Sequence, residues 1–164
     1  MTEPLIVGIG EFKIAKGEGL ITSYSLGSCV GVAIYDQVAK VAGLAHIMLA
    51  DSLSTTDANA MRSPFKYADI GIRMLIHDMV EMGAVKRHMA AKIAGGACMF
   101  ESAVKDPIFD VGRRNIESVK KVLGEEKVAL IAEDCGKNYG RTLTFDAATG
   151  KLSVKSLKSG ILIL

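Results

Sequence analysis

Tryptophan is absent from this 164-residue chain, proline and cysteine occur three times each, and aromatic residues make up only 5%. The few aromatics are not interleaved with basic clusters, so the stacking platform of a single-strand binder is missing. Charge offers no substitute. The net formal charge is +2, too small and too dispersed to grip a phosphate backbone, and no nucleic-acid partner is expected. No apolar run approaches the roughly 18 residues that span a bilayer, so no membrane insertion is expected. The opening Met1-Thr2-Glu3-Pro4 lacks the basic region and apolar core of a signal peptide, and the expected location is cytoplasmic.

The cysteines, Cys29, Cys98 and Cys135, are odd in number and no C-x-x-C occurs. Neither a zinc knuckle nor a redox dithiol is indicated, and in a reducing compartment all three are free thiols. His77 and His88 match no metal-ligand spacing. Gly8-x-Gly10 lacks the rest of a nucleotide fingerprint and reads as strand-edge geometry. No cofactor and no metal are expected.

What is present is a core. Hydrophobic residues are 49% and charged residues 23%, which predicts one globular domain over 1–164. Strands are predicted over 5–9 and 20–24, with Lys16-Gly17-Glu18-Gly19 as a turn. Segments 30–35 and 41–49, apolar on both faces, form a buried hairpin. Segment 51–63 is rich in Ser, Thr, Asp and Asn and reads as a surface loop flanking a cleft. Apolar residues Ile72, Leu75, Ile76, Met79 and Met82 share one helical face, predicting a helix over 66–82 with Gly83 at its C′ position. A second helix is predicted over 112–123, closed by Gly124. Strands follow at 89–94 and, short and buried, at 128–132. A half-exposed hairpin joins 142–145 to 152–157, and 161–164 is a closing strand or a sticky end. Two helices among about eight strands make a layered α/β domain, with helices covering one face of a mixed sheet.

Chemistry concentrates on two residues. Cys29 follows Gly27 and Ser28 at a strand entrance, and His46 lies on the next strand. A hairpin loop centred on Gln37 and Val38 pairs Cys29 directly with His46, where Cβ atoms stand about 4.5–5.5 Å apart. An imidazole that takes a thiol proton makes a cysteine nucleophile. Gly31, on the same strand face, leaves room above the sheet beside the sulfur. The backbone N–H groups of Gly27, Ser28 and Cys29 are candidate oxyanion donors. The second imidazole nitrogen needs an orienting partner, and Ser23, with Thr22 next, offers a hydroxyl on the preceding strand. Adjacent strand residues face opposite sides, so only one of them can serve. Cys98 reads as a packed thiol, Cys135 as a turn residue, His77 as solvated, and Phe100 as a contributor to a partner surface.

Nearly the whole chain resembles the chemoreceptor glutamine deamidases of the CheD family. The resemblance rests on VGIGE at 7–11, LGSCVGVAIYD at 26–36, AHIMLAD at 45–51 and KYADIGI at 66–72. KIAGGACMFES at 92–102, GRRNIESVKK at 112–121 and AEDCGKNYGRT at 132–142 extend it. It implies an α-β-β sandwich with mixed and antiparallel sheets, resembling cysteine-dependent deamidating toxins. It implies Cys29 as nucleophile, His46 as general base and a hydroxyl that orients the histidine. The family carries threonine six residues before the cysteine, where this chain has Ser23; Thr22 takes the role if a bulge shifts the register. The implied reaction converts glutamine side chains on the cytoplasmic helices of a chemoreceptor to glutamate and ammonia, in sensory adaptation. A CheC-type phosphatase is the implied partner, and nothing demands more than a monomer. Two other readings stand beside this one: a module that regulates such a phosphatase, and a generic cysteine amidase or methylesterase.

Overall fold

The computed structural model describes residues 2–53, 62–99 and 110–164. Its elements run β1 (Leu5–Ile6), β2 (Phe12–Lys16), β3 (Leu20–Leu26), β4 (Val30–Asp36), β5 (Val41–Ile47), α1 (Ala68–Glu81) and β6 (Met89–Gly95). They continue with α2 (Val111–Glu125), β7 (Ala129–Cys135), β8 (Arg141–Asp146), β9 (Leu152–Ser156) and β10 (Gly160–Ile163). The strands form two five-stranded sheets, in the orders β2-β5-β4-β6-β7 and β1-β3-β8-β9-β10. Each sheet is antiparallel except for one pair, β6 with β7 in the first and β1 with β3 in the second.

Alternation along β4 and β5 sorts the side chains into two cores. Val30, Val32, Ile34, Val41, Ala45 and Ile47 pack under the helices with Ile72, Leu75, Met79, Val119 and Leu123. Ala33, Ala42 and Leu44 face the second sheet and meet Leu26, Leu143, Phe145 and Leu152. The layers are therefore helices, first sheet, second sheet, as the sandwich expectation holds. Both faces of β4 and β5 are covered, which is why those strands carry no polar alternation.

Several local expectations change. β2 went unpredicted because FKIAK is short and set between glycine-bearing turns, yet its ladder with β5 runs from Phe12–Ala45 to Lys16–Val41. Gly124 lies inside α2, and Lys127, with φ 58°, takes the left-handed position beyond it. Gly83, with φ 100°, follows α1 as expected. β7 is an edge strand with alternating exposure and not a buried one, and Cys135 closes it instead of lying in a turn. Of segment 51–63, residues 54–61 lie outside the described residues, as does Phe100.

The hairpin register also differs from expectation. Asp36 pairs with Val41 across a loop of residues 37–40, so Gly31, not Cys29, stands opposite His46. The cause is the Asp36 carboxylate. Its Oδ1 accepts from the N–H of Val38 at 2.8 Å and of Ala39 at 3.0 Å. Those bonds hold a turn that starts after Asp36, and Lys40, with φ 55°, completes it. The shift is an even two residues, so every side chain keeps its predicted face.

Candidate active site

Four strands build the site. Cys29 sits just before β4, half-buried against the core between the sheets. His46 on β5 faces that same space and is 2% exposed. Because Gly31 is the direct partner of His46, Cys29 is its diagonal neighbour, at the spacing of about 7–8 Å that such positions have along a sheet. The expected room beside Gly31 is filled: a Cβ there would lie 2.1 Å from Leu143 Cδ1 of β8. That leucine makes the floor on which thiol and imidazole stand.

Ser23 and Thr22 divide as strand alternation requires. Ser23 Oγ lies 2.8 Å from His46 Nδ1 and 3.2 Å from the Val7 carbonyl, whereas Thr22 Oγ1 faces Thr144. The bulge in β3 falls between Ser23 and Leu26, beyond Ser23, and leaves the serine in place. A carbonyl can only accept, so the pattern that satisfies every partner sends the hydroxyl proton to Val7 O. Nδ1–H then donates to Ser23 Oγ, and Nε2 holds a free lone pair. That Nε2 is buried without a hydrogen-bond partner, a state that costs about 1–3 kcal/mol. Burial pushes the His46 imidazole below its ordinary value and the Cys29 thiol above its own. Both groups are held neutral, an uncharged donor and an uncharged acceptor on one face.

Backbone bonds fix the cysteine loop. Gly96 N–H donates to Cys29 O at 2.8 Å and Ala97 N–H to Gly27 O at 2.9 Å. Gly95, with φ 119°, allows this contact, because a Cβ there would lie 2.2 Å from Cys29 O. The glycine pair of the 92–102 motif thus shapes the support under Cys29. Met99 covers Gly27, and an open groove of about 670 Å³ begins there, lined by Tyr24, Gly27, Met99, Tyr139, Lys155 and Lys158 among others.

Besides Asp36, two buried polar residues had no expected role. Asn115 and Arg141 are each at most 1% exposed. Asn115 shares the α2 face of Val119, Val122 and Leu123, and an amide on an apolar stripe was the signal that marks it. Arg141 carries no comparable signal, since its position depends on how the two sheets meet. Among the described residues, no cluster of three His, Cys, Asp or Glu side chains has the geometry to hold a metal ion. His77 is 64% exposed at its side chain, as expected.

Comparison with known proteins bears on this site. A family model described as CheD chemotactic sensory transduction matches residues 48–156. A Clostridium novyi (strain NT) protein named probable chemoreceptor glutamine deamidase CheD is 46% identical over 155 residues, 94% of each chain. A Clostridium botulinum (strain Alaska E43 / Type E3) protein of the same name is 46% identical over 158 residues, 96% of each chain. One from Caldanaerobacter subterraneus is 43% identical over 157 residues, 96% of this chain and 95% of its own. With likeness of this depth along nearly its full length, the chain belongs to the CheD family.

Proposed function

We propose that this protein deamidates glutamine side chains of a chemoreceptor by a cysteine–histidine mechanism. The names of its relatives support the substrate class. The observation that carries the mechanism is the free Nε2 of a buried His46 whose Nδ1 is bound to Ser23, on the sheet face that Cys29 also meets.

As Cys29 Sγ attacks the glutamine amide carbon, its proton passes to His46 Nε2. The imidazolium gives that proton to the departing nitrogen, and ammonia leaves a thioester on Cys29. Water then loses a proton to Nε2 and attacks the thioester carbon. The sulfur leaves, recovers the proton from the imidazolium, and the side chain is released as glutamate. Ser23 holds the ring in the tautomer that both halves require.

The groove beside Gly27 suits a helical substrate. It is open, it presents the exposed Tyr24, Met99 and Leu157, and it carries Lys155 and Lys158 at its edge. The same groove is where a CheC-type phosphatase would compete with receptor. No described helix is long and apolar enough to cross a membrane.

Incubation with a receptor cytoplasmic fragment tests the reading by peptide mass spectrometry. Specific receptor glutamines convert to glutamate with equimolar ammonia, and Cys29→Ala abolishes conversion. Unchanged glutamines, or methanol in place of ammonia, overturn it.

A further inference from the structure

Asn115 is fully buried. Its Nδ2 donates to Ser28 O at 3.0 Å and to Met48 O at 2.9 Å, which uses both amide protons. Since both neighbours can only accept, they decide which end of the carboxamide faces them. Oδ1 is left buried without a partner. A side chain kept for fit alone would not strand an acceptor, so the amide is held there for its two donors. The helix approaches this closely because residue 112 is glycine: a Cβ there would lie 2.6 Å from the carbonyl oxygens of Gly96 and Ala97.

The Ser28 carbonyl shares one rigid plane with the Cys29 N–H. Among the described residues no peptide bond is cis, and in a trans peptide the C=O and N–H point in opposite directions. A Ser28 carbonyl anchored on α2 therefore turns the Cys29 N–H away from the helical layer. No hydrogen bond from that N–H occurs among the described residues. The second anchor, Met48 O, lies two residues beyond His46 and keeps the carboxamide from swinging.

We propose that Asn115 is a positioning residue that locks the Ser28–Cys29 peptide so that the Cys29 N–H is presented to the developing oxyanion. The role of that oxyanion rests on the deamidase reading above. Asn115 touches neither substrate nor sulfur; it acts through one peptide plane.

Asn115→Leu fills the same space without donors, and Asn115→Ser, smaller and polar, is the second variant should the first not fold. Three readouts separate the possibilities. Deamidation kcat falls about 100-fold with KM within about threefold, as for a misplaced oxyanion donor. Alkylation of Cys29 by iodoacetamide, a displacement at a saturated carbon that forms no oxyanion, stays within about threefold of wild type. In protein labelled with 15N-cysteine, the Cys29 amide resonance shifts and broadens in the variant as its peptide plane is released, a readout that needs no turnover. A kcat within threefold of wild type, an unchanged Cys29 amide, or a parallel loss of turnover and alkylation overturns the proposal. Wild-type protein that leaves receptor glutamines intact, while the Cys29 amide resonance still changes in the variant, removes the deamidase reading and leaves the peptide lock supported.

Discussion

A buried histidine with a serine on one nitrogen and nothing on the other is costly to maintain, and that cost has consequences for pH. Burial holds the His46 imidazole below its ordinary value, near 6.5 for the free side chain. In deamidation the acid limb of kcat/KM therefore falls below about pH 6.5. Initial rates between about pH 5 and 8 check this, and a limb at or above 6.5 would contradict it. Stability follows the same sign. Between the folded and unfolded values the unfolded chain binds the extra proton. The neutral ring's contribution is thus complete above about pH 6.5 and is lost as pH falls towards the folded value; denaturant titrations of wild type and His46→Gln measure it. The thiol follows from burial too. Cys29 is raised, while Cys135 is pushed up to about 12 by burial and by Glu133. Alkylation is expected to reach Cys29 ahead of Cys135, with a rate still rising above about pH 8 instead of saturating near 6 as a thiolate–imidazolium pair would. Site-resolved mass spectrometry reads that order. Ser23→Ala, which frees Nδ1, should lower kcat by roughly tenfold or more with little change in KM.

At the scale of elements, the β4–β5 hairpin shows how one side chain sets a register. Asp36 is fully buried and accepts from Val38, Ala39 and, through Oδ2 at 2.7 Å, Val85. Although burial alone would raise its carboxyl, the N–H groups of Val85, Ala39 and Val38 together hold it below its ordinary value. Asp36→Ala leaves three backbone donors without that acceptor and should cost about 2–4 kcal/mol, measured by urea unfolding. The legibility of the elements follows the range of their forces. Helix α1 was readable because Ile72, Leu75, Ile76 and Met79 repeat at helical spacing within one segment. Turn chemistry at residues 36–40 was harder, since Asx bonding and a positive φ at Lys40 move the loop centre by one residue without altering the apolar pattern. The predicted Cys29–His46 pairing erred by two residues for that reason, yet the shared face survived because the shift was even.

Across the whole molecule, the two sheets are joined beyond the site by Arg141 of β8. Its Nε donates to Asp134 of β7 at 2.9 Å, its Nη1 to the carbonyls of Gly136 and Tyr139, and its guanidinium lies 4.5 Å from the Tyr139 ring centre. The arginine side chain is fully buried and the aspartate 13% exposed. Arg141→Ala strands that carboxylate and those carbonyls, and a loss of about 3–5 kcal/mol is expected. Thermal unfolding checks the figure, and a change below 1 kcal/mol would show the tie to be dispensable. Because Lys92 of β6 also reaches the Gly150 carbonyl on the second sheet's side, at 2.7 Å, the sheets meet through polar ties as well as through Leu143 and its neighbours.

Apolar periodicity, glycine placement and the even spacing of Cys29 and His46 across one hairpin are properties of contiguous chain, and they determined the two helices, most of the strands and the common side of the sheet on which thiol and imidazole stand. Tertiary structure alone decided that Ser23 and not Thr22 meets the imidazole, that Leu143 fills the space over Gly31, and that Asn115 grips the Ser28 carbonyl. Those contacts join residues 20 to more than 100 positions apart. Their geometry depends on how sheets and helices close on one another, and no local pattern in the chain carries that distance.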